Sequence, residues 1–123
     1  ALEDAVSLAR ASTSEGVRIY AHTYLAVVRR AIGDPKAEVA LHEALRTAWE
    51  SDQPFATGLL ALEMARLHRA RGARADARRA YRIAAGIHAD LQSRLERPCA
   101  DEEREYLAET APPNDPDRPW REL

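Results

Sequence analysis

The side chains best suited to chemistry are four histidines, one cysteine and a group of carboxylates. His22, His42, His68 and His88 are spread along the chain. No two of them stand three or four residues apart, the spacing that places two metal ligands on one face of a helix, and no HExxH motif occurs. A pairing of His68 with His88 across a hairpin stays open, but it is not specific to a metal. The sequence therefore predicts no metal site.

Catalytic chemistry finds equally little support in the sequence. The single cysteine, Cys99, follows Pro98 and has no recognisable base beside it, and Glu102 and Glu105 lie in an acidic segment exposed to water. No glycine-rich phosphate loop, GxSxG motif or strand pattern is present. One cysteine also excludes an internal disulfide and fits a reducing compartment. We expect neither an enzyme nor a bound cofactor.

Composition indicates a folded, water-soluble protein. The chain has 123 residues, of which 46% are hydrophobic and 31% are charged, and no apolar stretch is long enough to span a bilayer. A formal net charge of -2 gives no general attraction to nucleic acid or anionic lipid. We expect a cytoplasmic protein that has neither a membrane nor a nucleic acid as its direct partner.

An internal repeat organises the centre of the chain. The apolar-small pair Leu25-Ala26 and Gly33 are matched 39 residues later by Met64-Ala65 and Gly72. Beyond each glycine the copies stay in step with one residue gained. The matching residues there are Ala37, Leu41 and Ala44 in the first copy and Ala77, Tyr81 and Ala84 in the second. A repeat of this length indicates stacked supersecondary units.

Each copy is predicted to be a pair of helices around its glycine turn, because apolar residues recur at helical spacing and glycine suits a helix end. The predicted helices cover roughly residues 17–32, 35–50, 54–71 and 74–95, with Pro35 and Pro54 in first turns. An opening helix (1–11), which looks like a piece of a longer array, and a short acidic helix after Pro98 complete the domain. The prediction is an all-α domain (1–111) of about five to six antiparallel helices, with a proline-rich tail (112–123).

The glycine turn and the small residues at the predicted helix crossings resemble the tetratricopeptide repeat. The resemblance implies a right-handed superhelical stack, in which the alanines let paired helices approach while Leu41 and Tyr81 fill the space between units. The repeat is longer than the standard unit of about 34 residues, and His22 and Ala61 stand where the family has a bulky residue. The longer spacing is similar to the arrays of large bacterial signalling ATPases and of MalT-like and LuxR-type transcription regulators.

In the tetratricopeptide family the first helix of each unit lines a concave groove. Carried over by position, the groove residues are Tyr20, Thr23, Val27 and Arg30 from one unit, and Leu59, Leu62, Arg66 and Arg69 from the next. Tyrosine, leucine and arginine are typical of interface cores, so the expected occupant is a peptide or neighbouring domain of acidic character. The alternative is that the leucines pack internally and the arginines are only solvated.

A basic stripe marks the last long helix. Arg71, Arg74, Arg78 and Arg82 share one predicted helix face. They either meet nucleic acid phosphates or, as we favour, face water or pair with the acidic helix at Asp101, Glu102, Glu103 and Glu105. The predicted function is a non-catalytic protein-interaction scaffold, the repeat or sensor segment of a bacterial transcription regulator or signalling ATPase. The alternative is a structural module that self-associates as a homodimer.

Overall fold

The computed structural model describes residues 15–110, which form five α-helices and no strand. The predicted all-α class is therefore confirmed. The helices are α1 (Glu15–Ala31), α2 (Ala37–Glu50), α3 (Pro54–Ala70), α4 (Arg74–Asp90) and α5 (Glu96–Thr110). The predicted opening helix and proline-rich tail lie outside the described residues.

Helices α1 to α4 all end in the same type of turn. Gly33 and Gly72 both have a φ of 72°, a left-handed conformation that glycine adopts without strain. The N–H of each glycine donates to the carbonyl three residues back at 3.1 Å, which closes the last turn of α1 and of α3. Asp52 and Gln92 close α2 and α4 with φ of 52° and 53°, although a side chain there costs about 1–2 kcal/mol. The hairpin units therefore share their end geometry.

Helices α1 and α3 match the predicted ranges to within two residues, and three other boundaries differ for identifiable reasons. Helix α2 begins at Ala37 and not at Pro35, because Asp34 accepts the N–H of Lys36 at 2.8 Å and the N–H of Ala37 at 2.9 Å in a turn. Helix α4 ends at Asp90, five residues before the predicted end at residue 95, because the left-handed turn at Gln92 stops it. Helix α5 begins at Glu96 and includes Pro98 in its first turn, where proline's missing N–H leaves no bond unmade.

Small residues allow the helices to pack closely around α3. Alanines at the repeat positions are buried, with exposures of 0–1%: Ala26, Ala37, Ala44, Ala65, Ala77 and Ala84. Leu41 and Tyr81 are fully buried, Met64 is buried and Leu25 is half-buried. Helix α3 packs against α1, α2 and α4, so it is buried on most sides. The core is therefore continuous from the first hairpin, α1–α2, to the second, α3–α4.

Gly58 permits a close approach between α3 and α4. A Cβ atom at this position would lie 2.8 Å from both Cε1 and Nε2 of His88 and 3.1 Å from Cγ2 of Ile87. The His88 ring is fully buried, and the Phe55 ring meets it edge-on with centroids 5.7 Å apart. The imidazole therefore occupies the space that the glycine leaves.

Candidate functional site

The eight predicted groove residues lie on α1 and α3 but differ in accessibility. Tyr20 is 72% exposed, whereas Leu62 is only 4% exposed and belongs to the core. The other six are partly buried: Thr23, Val27, Arg30, Leu59, Arg66 and Arg69. Leu62 therefore cannot line an open groove, and for this leucine internal packing is what the structure shows.

Arg66 is held by carboxylates of the chain itself. Its Nε and Nη2 atoms donate to the two carboxylate oxygens of Glu102 on α5, at 3.1 Å and 2.5 Å. Its Nη1 atom donates to Oε1 of Glu63 at 2.8 Å. A two-point contact between a guanidinium and a carboxylate is among the stronger polar contacts in proteins. Arg66 therefore connects α3 firmly to α5.

Arg69 also faces α5. Its Nη2 atom donates to Glu105 at 3.2 Å and to Glu109 at 3.0 Å. The guanidinium carbon lies 5.3 Å from the ring centroid of Tyr106, within the range of a cation–π contact. Two of the three arginines in the predicted groove, Arg66 and Arg69, are thus paired with an acidic helix of the same chain.

An arginine–glutamate bridge recurs between successive first helices of the units. Arg30 on α1 donates through Nε to Glu63 on α3, and Arg69, which stands 39 residues after Arg30, donates to Glu105 on α5. Glu63 is 7% exposed and accepts hydrogen bonds from both Arg30 and Arg66. A buried carboxylate needs such partners, because an unpaired charge is costly away from water. The bridges link α1, α3 and α5 along one side of the molecule.

The charge network keeps its carboxylate ionised. Burial alone would raise the pKa of Glu102, but the hydrogen bond and charge of Arg66 outweigh it and hold the pKa below its ordinary value. Burial raises the pKa of Tyr81, whose hydroxyl donates to Glu102 at 3.3 Å. Hydrogen bonding with Tyr81, and then with Glu105, raises the pKa of Arg69. The arrangement therefore stabilises the charged forms of Glu102 and Arg69.

The acidic helix meets the predicted basic stripe at only one charged pair. Arg82 lies 3.3 Å from Glu103, but Arg71 donates to Glu38 on α2 at 2.5 Å. Arg74 donates to the Thr110 hydroxyl at 3.3 Å. The remaining member of the stripe, Arg78, has a buried Nε atom without a hydrogen-bond partner among the described residues. Two of the four stripe arginines, Arg74 and Arg82, therefore contact α5, and Arg71 contacts α2.

The burial of Cys99 and Tyr106 explains why carboxylates of α5 reach the arginines of α3. Both residues are buried and anchor α5, and Glu102 lies between them on the same face. The spacing of Cys99, Glu102 and Tyr106, three and then four residues, was the signal in the sequence that Glu102 shares the packed face. The prediction treated α5 as solvated or as paired with the basic stripe, and it missed the pairing of Glu102 with Arg66.

A second surface lies on the side of α1 away from Arg30, the residue that binds α3, and it contains no charged side chain. Tyr20 and Tyr24 are 72% and 52% exposed, and their rings stack with centroids 6.3 Å apart and planes 4° apart. At 100° per residue, Tyr20, Tyr24 and Ile32 lie within one sector of the helix surface. Ile32, just after the end of α1, is 71% exposed. This uncharged face comprises Tyr20, Ala21, Tyr24, Val27, Val28, Ala31 and Ile32. The arginines of α1 lie outside this sector.

Within residues 15–110, no group of three or more histidine, cysteine, aspartate or glutamate side chains is placed to hold a metal ion. In the same range no helix is both long enough and apolar enough to cross a lipid bilayer.

Comparison with known proteins identifies no relative: no family model, no curated protein and no solved structure matches the chain. The fold is that of an all-helical array of packed hairpins. Any assignment of function must therefore come from the surfaces of this molecule itself.

Proposed function

We propose that the chain is a non-catalytic, tetratricopeptide-like scaffold for protein binding, and that α1 carries its contact surface. The observation that carries this proposal is the exposed Tyr20–Tyr24 pair on the uncharged face. Exposed aromatic side chains grouped with aliphatic ones are typical of protein interfaces, because tyrosine combines a large apolar surface with a polar hydroxyl.

The charges of α3 argue for an apolar contact rather than an acidic ligand. Arg66 and Arg69 already bind Glu102, Glu105 and Glu109. A partner's carboxylate would have to displace these bonds, and an exposed ion pair returns only about 0.2–1 kcal/mol. The proposal therefore keeps Tyr20 and Val27 of the predicted groove, which belong to the uncharged face, and gives the arginines a structural role. Thr23, whose Oγ1 atom is buried, lies outside that face.

We also propose the kind of protein to which the scaffold belongs. The shared turn geometry at Gly33 and Gly72 and the buried alanines of both hairpins support the resemblance to tetratricopeptide units. That resemblance supports a role as the repeat or sensor segment of a cytoplasmic bacterial transcription regulator or signalling ATPase. A stack of helical hairpins is well suited to presenting one helix face to a partner.

A matched pair of variants tests the contact surface. The test variant is Tyr20→Ser with Tyr24→Ser, and the control is Val39→Ser with Trp49→Ser, which removes two α2 side chains that are 70% and 72% exposed. Each protein is immobilised, and captured proteins from the source organism are quantified by mass spectrometry. We expect the test variant to lose at least about tenfold of the specific capture, equal to about 1.4 kcal/mol, and the control to retain it. Equal capture by all three proteins would refute α1 as the contact surface.

A further inference from the structure

We infer that the outer side of α4 carries a binding site for a phosphoryl group, held by Arg78, Arg79 and Arg82 and supplied by a phosphorylated side chain of a protein partner. The three arginines line a shallow hollow of about 460 Å³, together with Ala75 and Ile83. The hollow shares no residue with the uncharged face of α1. It is therefore a second site, beyond the proposed contact surface.

Helical periodicity brings the three arginines to one face of α4. At 100° per residue, they fall within about 100° of one another around the helix axis. Ala77 and Ala84 fall on the opposite side and are fully buried, so the arginines point away from the core. Side chains three and four positions apart on a helix are neighbours, and like charges there repel each other. A bound anion would relieve this repulsion.

Carboxylates of the chain compensate these charges only in part. Arg82 lies 3.3 Å from Glu103, and Arg79 lies 3.6 Å from Asp76. The contact with Glu103 is an ion pair and not a hydrogen bond, because the buried Oε2 atom of Glu103 has no hydrogen-bond partner among the described residues. The side chains of Arg79 and Arg82 remain 72% and 64% exposed. Both guanidinium groups are thus open to a ligand from outside.

Arg78 has a hydrogen bond to gain in the hollow. Its Nε atom is buried and has no acceptor within the part of the chain that the structure describes. A buried N–H group without an acceptor is unfavourable. Arg66 on α3 shows the contrast, since its guanidinium donates to Glu102 at two points and to Glu63 at a third. Rotation of the long Arg78 side chain would bring its N–H to an acceptor in the hollow.

A phosphoryl group suits this cluster better than a carboxylate does. It carries close to two negative charges at neutral pH and three acceptor oxygens, so it can bridge several guanidinium groups at once. The other two lining residues, Ala75 and Ile83, are aliphatic. Nucleic acid bases stack on aromatic rings, and the hollow is lined by none. The lining therefore favours a phosphorylated side chain over a nucleic acid.

A nuclear magnetic resonance titration of the whole chain, labelled with ¹⁵N, tests the site. The probe is inorganic phosphate at about pH 7, and sodium chloride at equal ionic strength is the reference. We expect phosphate to shift the Nε–H signals of Arg78, Arg79 and Arg82, with a dissociation constant of about 1–10 mM, because exposed ion pairs are weak. Equal shifts with both salts would reflect general charge screening and overturn the site.

A matched pair of double variants separates the site from net charge. The test variant is Arg78→Gln with Arg79→Gln. The control is Arg97→Gln with Arg104→Gln, which removes the same charge from α5 side chains that are 91% and 77% exposed. The test variant should bind phosphate at least about fivefold more weakly, and the control within about twofold of the natural chain. Equal weakening overturns the site, and circular dichroism must show equal helix content in all three proteins.

A pair of peptides tests the source of the phosphoryl group. A short uncharged peptide with one phosphoserine should bind the natural chain at least about tenfold more tightly than the same peptide with serine. The test variant should lose this difference, and the control should keep it. Equal binding of the two peptides overturns the phosphorylated partner. So does an RNA oligonucleotide that binds more tightly than the phosphopeptide and loses its binding in the test variant.

Discussion

The two hairpins share their backbone conformation but carry different side chains at equivalent positions. Gly33 and Gly72 have the same φ, and the alanines of both hairpins are buried to the same degree. At the position where α1 has the exposed Tyr24, α3 has the buried Glu63, and where α1 has Val27, α3 has Arg66. A few glycines and alanines are thus enough to specify the hairpin, which leaves the outer faces free to diverge. The inner helix uses charge to bind its neighbours, whereas α1 presents an uncharged surface.

The hairpins also divide their internal volume differently. Ile19 and Ala48 are buried in the first hairpin, and the positions 39 and 40 residues later hold Gly58 and His88. The larger side chain has moved from the first helix of the unit to the second. Opposite size changes of this kind at two core positions allow one fold to carry different core residues.

The largest expected effect comes from truncating the residue between units in each hairpin. Tyr81→Ala and Leu41→Ala both empty a fully buried site, so each should lower the free energy of unfolding by about 2–5 kcal/mol. Tyr81→Ala should cost more, because the ring is larger and its hydroxyl also donates to Glu102. Urea unfolding followed by circular dichroism measures both. Unchanged midpoints would place these residues outside the helix packing and contradict the repeat register.

A smaller effect separates the buried bridge from the exposed one. Glu63→Gln should lower the free energy of unfolding by about 1–3 kcal/mol, because two arginines lose a buried charged acceptor. Glu105→Gln, at a carboxylate whose side chain is 63% exposed, should change it by less than about 0.5 kcal/mol. Glu105→Gln serves as the control in the same unfolding experiment. Equal losses would show that burial does not distinguish the two bridges.

The smallest expected effect is a pH dependence of the free energy of unfolding that comes from His88 in the second hairpin. Burial lowers the pKa of His88 from its ordinary value of 6.5, and neither ring nitrogen has a hydrogen-bond partner of normal geometry among the described residues. The unfolded chain therefore takes up the proton first. The stabilisation from neutral His88 is complete above pH 6.5 and is lost as the pH falls toward the lowered folded pKa, by at most about 1.4 kcal/mol per pH unit.

Unfolding at about pH 7.5 and about pH 5.5 measures this dependence. The His88→Leu variant should lose less stability between the two pH values than the natural sequence does. The control is His42→Gln, which removes a histidine side chain that is 63% exposed. A His88→Leu variant with the natural pH dependence would show that other groups cause it.

Local patterns predicted the fold well and the charge network poorly. Helical spacing and the matching glycines located five helices, because these signals depend on neighbouring residues. The start of α2 and the end of α4 were displaced, since the Asp34 turn and the left-handed Gln92 compete with helix propensity. The partners of Arg66 and Arg69 depend on the side from which α5 approaches, and that direction follows from tertiary packing of Cys99 and Tyr106. A single sequence shows such packing only indirectly.

The burial of Cys99 makes α5 observable in real time. Thiol reagents attack the accessible thiolate, whereas this thiol is fully covered and burial raises its pKa. As Cys99 is the only cysteine in the sequence, modification of the natural chain by a chromogenic disulfide reagent would follow one atom. The rate of modification would report how often α5 separates locally from α3 and α4, which also releases the arginines that it covers.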